Sequence, residues 1–411
     1  MGWTASGMVM DALRGWSSAQ KHVVAASFLG WTLDAFDFFL LVFVIKDVSA
    51  EFGTLVSSVT LAVTLTLALR PVGAFIFGRL ADRFGRRPIL MIDVLLYSIL
   101  GFATAFAPNL TVFLIVRALF GVAMGGEWGI GASLTMETVK PEARGFVSGL
   151  LQSGYPTGYL IASVVYGLLY AHIGWRGLFM VGIVPALLIL YIRRSVPESP
   201  GWNRERASAA TVFGILAKHW QIALYSIVLM TAFNFFSHGT QDLYPTFLQK
   251  QRHFDHLTVS TIAVVYNIGA IIGGLSFGAL SQSFGRRRTM ITAALLSIPA
   301  VYLWAYSETA VLLGLGAFLV QFFVQGAWGV VPAHLNEVSP PEARGAFPGT
   351  VYQLGNFIAS YNLTLQARIA ESQGNDYRLA LAGVAVIAAL AVSLFAWLSR
   401  EARHISMTEG A

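Results

Sequence analysis

Cysteine is absent from the sequence, so disulfides, thiolate metal sites and cysteine nucleophiles are excluded. Charge is also scarce: Asp, Glu, Lys and Arg make up 12% of the 411 residues, whereas a soluble domain carries roughly 25%. The first twenty residues lack a separate apolar core and a small-residue cleavage site, so we expect no signal peptide. The sequence shows no metal-ligand cluster, activated nucleophile or cofactor loop. We therefore expect no catalytic residue, no metal and no cofactor, and we do not expect an enzyme.

Apolar residues are abundant: they form 56% of the chain, and the mean hydropathy is +0.65. Twelve apolar segments are long enough to cross a bilayer, since a spanning helix needs about 20 residues. These segments are residues 23–45, 55–78, 88–107, 110–136, 146–168, 175–192, 220–248, 258–281, 289–306, 310–335, 345–368 and 378–399. The sequence therefore predicts an all-α membrane protein with twelve transmembrane helices. The even number places both termini on the same side.

Lysine and arginine are concentrated in the predicted loops on one side of the membrane, including the central loop at 193–219. The positive-inside rule places that side, and both termini, in the cytoplasm. This distribution accounts for the net charge of +6, so we expect no nucleic-acid partner. The missing cysteines and the compact loops favour a bacterial inner membrane. We expect a functional monomer.

The two halves of the chain repeat each other at an offset of 200 residues. Arg83-Phe-Gly85-Arg86-Arg87 returns as Ser283-Phe-Gly285-Arg286-Arg287, Gly126-Glu127-Trp128-Gly129 as Gly326-Ala327-Trp328-Gly329, and Glu137…Pro141-Glu142-Ala143-Arg144-Gly145 as Glu337…Pro341-Glu342-Ala343-Arg344-Gly345. Matches at one constant offset indicate duplication. They predict two pseudo-symmetric six-helix bundles, residues 1–192 and 220–411, joined by a cytoplasmic linker at 193–219.

One polar stripe interrupts the predicted seventh span. Asn234, His238, Gln241 and Asp242 are spaced so that they share one face of a helix. A charge near the bilayer centre costs on the order of 3 kcal/mol, so these groups are expected to face protein or a water-filled path. Because the stripe combines a titratable His with an Asp, it favours a transport site. A polar seam that only holds helices together is the alternative.

Asp34 and Asp37 occupy the positions equivalent to Asn234 and Ser237 at the same offset. The first helix of each half thus carries its polar residues at the same depth. In transporters built from two such halves, the substrate lies near the midplane between them. We therefore predict that both aspartates line the site together with the seventh-span stripe.

The loop between the second and third spans reads Gly78-Arg79-Leu80-Ala81-Asp82-Arg83-Phe84-Gly85-Arg86-Arg87. It resembles the signature loop of the major facilitator superfamily, and Val196-Pro197-Glu198-Ser199-Pro200 resembles the sugar-porter-type version of that family. We expect Gly78 and Gly85 to allow a tight turn and a close helix approach. We expect Asp82 and the arginines to form ion pairs that break when the two halves move relative to each other. A plain basic loop is the alternative. We therefore predict a gate that closes the cytoplasmic side, formed by Gly78, Asp82, Arg83, Gly85, Arg86, Glu137 and Arg144.

The equivalent loop of the second half departs from this pattern. Ser281-Gln282-Ser283 stands where the first half has Ala81-Asp82-Arg83. The acidic partner of the arginines is lost in this loop. The departure predicts a weaker gate in the second half.

Arg117 in the predicted fourth span needs a buried counter-ion, for which Asp34 and Asp37 are the candidates. In the proton-coupled sugar porters that the chain resembles, the matching arginine pairs with a first-span aspartate. Alternating pairing and unpairing would let the site bind and release a proton; a permanent ion pair is the alternative. Glu127 is a second proton candidate, or it braces the cytoplasmic end.

Arg70 in the predicted second span is a candidate anchor for a carboxylate, because a planar guanidinium matches that group with two parallel hydrogen bonds. The alternative is that it snorkels to the cytoplasmic face. Tyr155 and Gln353, on the fifth and eleventh spans, either shape a pocket or bridge helices.

The seventh-span pattern Asn234-x-x-Ser237-His238-x-Thr240-Gln241-Asp242-x-x-x-Thr246 resembles the signature of the Jen-type lactate permeases of the sialate:proton symporter group. Gly30-Trp31-Thr32-Leu33-Asp34-Ala35-Phe36-Asp37-Phe38-Phe39 is similar to the first span of that group. The resemblance implies proton-coupled symport of short monocarboxylates such as lactate and pyruvate, with the second-span arginine and the seventh-span polar residues needed for transport. We expect Arg70, Asn234, His238 and Gln241 to bind substrate, and Asp34 or Asp37, Asp242 and His238 to carry the proton.

Other functions fit the same features less well. A sialic acid, dicarboxylate or sugar symporter of the same fold is the main alternative, favoured by the Pro197-Glu198-Ser199-Pro200 motif. A non-transporting nutrient sensor is disfavoured by the short central loop and the short tail. A channel is disfavoured because buried ionisable groups at matching depths suit one occluded site.

Overall fold

The computed structural model describes residues 16–139, 143–195, 214, 217–340 and 347–401. Within these ranges the chain is helical and contains no strand. The α-helices are Ser18–Glu51 (α1), Val56–Phe84 (α2), Arg86–Thr104 (α3), Leu110–Ala123 (α4), Glu127–Thr138 (α5), Arg144–Val181 (α6), Leu188–Ser195 (α7), Trp220–Gln241 (α8), Tyr244–Lys250 (α9), His256–Phe284 (α10), Arg286–Tyr306 (α11), Ala310–Trp328 (α12), Val331–Val338 (α13), Phe347–Ala359 (α14), Asn362–Ser372 (α15) and Arg378–Leu398 (α16).

Ten helical segments of the described chain are long and apolar enough to cross a membrane. The other two predicted spans are interrupted. Residues 175–192 follow Gly174, which has a non-helical backbone inside α6, and then pass through the 3-10 turn Val184–Leu187. Residues 345–368 are divided between α14 and α15. The helices therefore form the twelve predicted membrane-crossing segments, arranged as two six-helix halves.

Three further spans are broken where continuous helices were predicted. The helix ends at Ala123 in the predicted span 110–136, at Gln241 in 220–248 and at Trp328 in 310–335. A second helix starts within a few residues in each case. Hydropathy misses such breaks because both flanking pieces are apolar. Inside a membrane, irregular backbone is tolerated where it is buried in protein or lines a cavity, so these breaks mark the interior of the molecule.

Equivalent turns in the two halves have the same geometry. Gly85, between α2 and α3, has φ 102° and ψ 149°, and Gly285, between α10 and α11, has φ 102° and ψ 150°. This region of backbone space favours glycine. A Cβ at Gly78, by contrast, would meet no described atom within 4 Å, so the expectation that Gly78 brings helices close together is wrong. We call the end of the molecule that carries these two turns the basic end.

The two halves contact each other at the basic end through α6 and α10. A Cβ at Gly149 would lie 2.6 Å from the carbonyl oxygen of Gly274, so the two backbones touch where both residues lack a side chain. Ser148 Oγ donates to the carbonyl oxygen of Gly329 at 2.9 Å and accepts from the amide of Ala333 at 3.1 Å. These contacts close the basic end.

The halves also contact each other at the opposite end. Thr364 Oγ1 of α15 lies 3.0 Å from Thr60 Oγ1 and 2.9 Å from Thr64 Oγ1 of α2. The amide of Ser57 donates to Glu371 Oε1 at 3.0 Å. The halves therefore contact each other at both ends of the molecule.

Candidate substrate and proton site

Arg70 and Asp34 form a buried ion pair midway along α2 and α1. Arg70 Nη2 lies 2.8 Å from Asp34 Oδ2, and the exposed fractions of the side chains are 1% and 0%. The alternative that Arg70 snorkels to the surface is therefore wrong. The sequence left Asp34 and Asp37 open as partners of Arg117, and Asp34 pairs with Arg70 instead. Arg70 and Asp34 can separate only if another charge replaces the lost partner, because either residue alone is an uncompensated buried charge.

Aromatic side chains surround this ion pair. The Arg70 guanidinium lies 5.7 Å from the ring centre of Trp31, which stacks on Tyr155 with ring centres 5.1 Å apart. Trp128 and Tyr352 meet across the two halves with ring centres 4.3 Å apart. The two indole N–H groups and the Tyr155 hydroxyl have no hydrogen-bond partner among the described residues. All three can donate, so the site offers an anion unused hydrogen-bond donors beside a guanidinium.

The predicted polar residues of the seventh span are buried at the end of α8. His238 Nδ1 lies 2.8 Å from Asp242 Oδ2, directly after the helix ends at Gln241. Gln241 Nε2 donates to Ser237 Oγ at 3.2 Å. Asn234 Nδ2 donates at 2.8 Å to a backbone carbonyl one turn earlier in its own helix. The His–Asp pair is thus a second ionisable group at the interior of the molecule.

Tyr155 of α6 lies between the two ionisable groups. Its ring centre is 6.4 Å from that of His238. Both Arg70 and Asp242 are within electrostatic range of its hydroxyl. Tyr155 therefore connects the charged residues of the first half with those of the second.

Gln353 bridges the two halves rather than pointing an unused group into the site. Its Nε2 donates to the carbonyl oxygen of Gly125 at 3.1 Å, and its Oε1 accepts from Asn356 Nδ2 at 3.2 Å. The carbonyl fixes the orientation of the Gln353 amide, because a carbonyl oxygen only accepts. Asn356 Oδ1 is then left without a partner among the described residues. It lies beside Tyr352, which is close to both Asn356 and Arg70.

Arg117 and Asp37 form a second pair of buried charges in the first half. The guanidinium carbon of Arg117 lies 4.0 Å from the ring centre of Phe120, and Asp37 is within its electrostatic range. No hydrogen bond joins the two, and their charged atoms have no other hydrogen-bond partner in the described part of the chain. Asp37 packs against Gly182, where a Cβ would lie 2.9 Å from Oδ1. Asp37 is therefore the aspartate that faces Arg117.

Glu127 and Asp93 add two more buried carboxyls to the first half. Glu127 begins α5 and is 3% exposed, and Asp93 on α3 is 2% exposed. Neither carboxyl has a hydrogen-bond partner among the described residues. Glu127 had been singled out from the sequence, whereas Asp93 had not. The signal for Asp93 was available, because it is the one charged residue of the predicted span 88–107.

The predicted gate of the first half is described only in part. The side chains of Asp82, Arg86 and Glu137 lie outside the described residues. Arg83 is exposed, and its guanidinium carbon lies 5.3 Å from the ring centre of its neighbour Phe84. Arg144 is buried at the start of α6. The ion pairs expected in this loop therefore remain predictions.

The gate of the second half contains a buried ion pair, although its loop lacks an acidic residue. Whether this gate is weaker than that of the first half stays a prediction. Arg286 Nη2 and Nε lie 2.8 and 3.0 Å from the two carboxylate oxygens of Glu337. The same guanidinium donates to Ser281 Oγ at 2.6 Å and to Gln282 Oε1 at 3.0 Å. The acidic partner missing from the loop comes from α13, which is distant in sequence.

Four neutral residues of the site were also missed from the sequence: Trp31, Trp128, Tyr352 and Asn356. The aromatic ones were counted as apolar, since hydropathy does not record an indole N–H or a phenol hydroxyl. Asn356 had a usable signal, because it lies one helical turn after Gln353 on the predicted eleventh span.

Comparison with known families agrees with this architecture. The family model of the Major Facilitator Superfamily matches residues 27–259, and that of the Sugar (and other) transporter family matches residues 207–407. Together the two matches extend over both halves of the chain.

Related proteins of known name are transporters. A carboxylic acid transporter protein homolog of Saccharomyces cerevisiae is 29% identical over 375 residues, which cover 84% of this chain and 60% of the yeast protein. The sialic acid transporter NanX of Escherichia coli is 27% identical over 342 residues, covering 82% of this chain and 84% of NanX.

A solved structure has the same fold. The human organic anion transporter MFSD10 superposes with a TM-score of 0.70 over 91% of this chain and 99% of its own, at 16% identity. At that identity the likeness concerns the fold alone. The family matches, the twelve membrane-crossing segments and the two repeated halves lead to one conclusion: the chain is an integral membrane transporter, not an enzyme, and belongs to the major facilitator superfamily.

Proposed function

We propose that this transporter moves a small monocarboxylate such as lactate or pyruvate together with a proton, by alternating access. The observation that carries the proposal is the buried pair of Arg70 and Asp34. A guanidinium beside unused aromatic donors is held by a carboxylate that a proton can neutralise. That arrangement suits an anionic substrate and supplies a means of coupling it to protons.

Coupling follows from competition for one guanidinium. When the substrate carboxylate binds Arg70, an ionised Asp34 would be an unpaired buried charge, which costs several kcal/mol. Asp34 therefore takes up a proton when the substrate binds and releases it when the substrate leaves. Asp37 does not compete in this way, because it faces Arg117. We assign proton coupling to Asp34, and to Arg117 and Asp37 the maintenance of charge balance within the bundle.

The remaining site residues orient the substrate and complete the proton path. Asn234, His238 and Gln241 hydrogen-bond the hydroxyl or keto oxygen, and Tyr155 contacts both the anion and the seventh-span residues. Gln353 acts by joining the halves around the substrate. The His238–Asp242 pair relays a proton on the side of the second half.

Opening to the basic end requires that the gate contacts break. In the second half these include Arg286 and Glu337. The internal repeat extends the same role to Arg86 and Glu137 of the first half, with Asp82, Arg83 and Arg144 beside them. In this proposal the basic end faces the cytoplasm of a bacterial cell, both termini lie on that side, residues 193–219 link the halves, and the monomer is the working unit.

Sialic acid, a dicarboxylate or a sugar is the second candidate substrate class. The likeness to NanX favours sialic acid, and the match to the sugar transporter model favours sugars. The likeness to the yeast carboxylic acid transporter homolog supports the monocarboxylate. All of these substrates except neutral sugars carry a carboxylate for Arg70.

Uptake of labelled L-lactate into proteoliposomes tests the proposal. With an inward proton gradient and a clamped voltage, we expect accumulation that collapses when a protonophore removes the gradient. One anion with one proton is electroneutral, so voltage should matter little, although it would add about 2.3 kcal/mol per 100 mV for each net charge moved. Lactate flux that does not depend on the pH gradient would rule out proton coupling. If the protein transports sialic acid or a sugar but not lactate, the assignment of a monocarboxylate as the substrate is wrong.

A further inference from the structure

The first half holds more buried carboxyls than the proposed mechanism has used. Asp34, Asp93 and Glu127 lie within electrostatic range of one another and of a single cation, Arg70. Arg70 pairs with Asp34, and the other two carboxyls have no hydrogen-bond partner among the described residues. If both were ionised, the interior would carry two uncompensated negative charges, which is costly in a membrane. Burial without a partner therefore favours the protonated form of these two groups.

Glu127 contacts the same face of α1 that carries Asp34. A Cβ at Gly30 would lie 1.8 Å from Glu127 Oε1, so the carboxyl rests where α1 has no side chain. Gly30 is four residues before Asp34, one helical turn away on the same face. The two carboxyls are therefore neighbours along α1.

The surroundings of Glu127 also tolerate its ionised form for a short time. Glu127 is the first residue of α5, whose N-cap Gly126 provides no side-chain cap. The free backbone N–H groups of a helix N-terminus stabilise negative charge. Asp93 faces the same start of α5, since its Oδ1 would lie 3.5 Å from a Cβ at Gly126. The helix N-terminus therefore offsets part of the cost of ionising Glu127.

Glu127 lines a pocket that lies wholly within the first half. All ten residues that line it belong to the first half, and they include Val23, Ser27, Trp31 and Glu127. Glu127 is the single ionisable group among them. The pocket follows α1 from Trp31, beside the ion pair, through Ser27 to Val23 near the start of the helix at the basic end. It does not pass between the two halves.

We propose that Glu127 is the proton's exit from the site, and that the proton and the substrate leave by different routes. This inference rests on the proposed proton-coupled function. Glu127 first gives its own proton to water in the pocket. The proton on Asp34 then passes to the Glu127 carboxylate, while Asp34 returns to Arg70. The substrate leaves between the halves. Asp93 faces the start of the same helix, and Arg70 and Tyr97 also lie within electrostatic range of the cluster.

Two transport assays on one preparation test the inference. Exchange of labelled for unlabelled lactate at equal pH needs no net proton release, whereas uptake driven by a pH gradient does. For Glu127→Gln we expect the ratio of driven uptake to exchange to fall by about tenfold or more, because a proton-transfer group typically contributes at least that much. Glu308→Gln, an exposed position at the opposite end, is the control and should keep the wild-type ratio.

A second variant tests the route without removing a carboxyl. Ser27→Leu fills the pocket, and we expect it to lower the same ratio. An unchanged ratio in either variant overturns the inference, and so does an equal loss of exchange and driven uptake in Glu127→Gln. A requirement for sodium, tested by replacement with choline, would also overturn it, because the cluster would then hold a metal cation. If wild-type protein exchanges lactate but ignores pH, the proposed function fails instead.

Discussion

The two halves of this transporter place different chemistry at equivalent positions. Counted at the 200-residue offset, six buried charged residues of the first half correspond to uncharged residues in the second. Asp34, Asp37, Arg70, Asp93, Arg117 and Glu127 correspond to Asn234, Ser237, Ala270, Ala293, Ala317 and Ala327. The described part of the second half instead buries amide side chains, which are those of Asn234, Gln241, Gln249, Asn267, Gln321, Gln325, Asn336, Gln353, Asn356, Asn362 and Gln366.

This difference indicates a division of labour on a common scaffold. A carboxyl or guanidinium can change its charge partner, so it can couple a proton to an anion. An amide cannot titrate, but it can donate and accept at once, so it suits the polar groups of a substrate and contacts that rearrange. The second half has two exceptions among the described residues. The Arg286–Glu337 pair lies at the basic end, and the His238–Asp242 pair lies beside Tyr155 of the first half.

The largest expected effect comes from removing the cation that the first half shares between Asp34 and the substrate. Arg70→Gln leaves Asp34 unpaired, and loss of one partner of a buried pair costs about 2–5 kcal/mol, so uptake should fall by at least about 30-fold. Labelled lactate uptake in proteoliposomes measures it. Arg368→Gln, at an exposed position, should transport normally. Wild-type uptake by Arg70→Gln would show that the charged half does not bind the anion.

A change in stability rather than binding is expected at the second charge pair. Arg117→Met leaves Asp37 buried without its cation and should destabilise the protein by about 3–5 kcal/mol. Adding Asp37→Asn removes the orphaned charge and should restore most of the loss. Thermal unfolding of the purified protein in detergent measures both. Equal melting temperatures for the single and double variants would show that the two charges do not interact.

Giving the second half a charge of the first half tests the division directly. Asn234→Asp places a carboxyl at the position equivalent to Asp34, where the native amide donates to its own helix. We expect a loss of about 3 kcal/mol, the approximate cost of a charge at the bilayer centre. Asn109→Asp is the control, since Asn109 caps α4 and aspartate caps a helix equally well. If Asn234→Asp melts like wild type, the second half tolerates charge, and the comparison loses its meaning.

The smallest effect is expected where the second half keeps its charges at the surface. Arg378 donates to Asp376 and holds the pKa of that carboxyl below its usual range. Because the pKa of Asp376 is lower in the folded state than in the unfolded state, its ionised form stabilises the fold at pH values above the unfolded-state pKa. This stabilisation is lost as the pH falls through the folded-state pKa. Because the pair is about one-third exposed, Asp376→Asn should cost less than about 1 kcal/mol at pH 7. A larger shift in melting temperature would show that surface charge matters to this half.

Much of the fold could be predicted from the sequence, because hydropathy and repetition are properties of the chain read in order. Apolar runs predicted the twelve spans, and the repeat that pairs Gly85 with Gly285 predicted two equivalent halves. The breaks after Ala123, Gln241 and Trp328 could not be predicted in this way, since hydropathy is averaged over a window in which apolar residues predominate. The partner of Arg286 was likewise missed, because Glu337 lies on a helix remote in sequence.

The candidate site was predicted as a set of residues but not as a set of pairs. Buried charge is visible in a sequence as an acidic or basic residue inside an apolar run, and this rule identified Asp34, Asp37, Arg70, Arg117 and Glu127. The same rule applies to Asp93. Aromatic donors carry no such contrast, so Trp31 and Trp128 could be recognised only from their position around the ion pair.

The sequence by itself determined that the chain spans a membrane in two repeated halves with buried charges in the first, because composition, periodicity and offset require no knowledge of contacts. Only the tertiary structure decided that Arg70 holds Asp34 while Arg117 faces Asp37. That choice depends on how the helices are rotated about their axes. Close packing sets the rotation between α2 and α4: a Cβ at Gly73 would lie 1.8 Å from the carbonyl oxygen of Val122. Such packing is a property of the folded helices together, and no single segment of the sequence contains it.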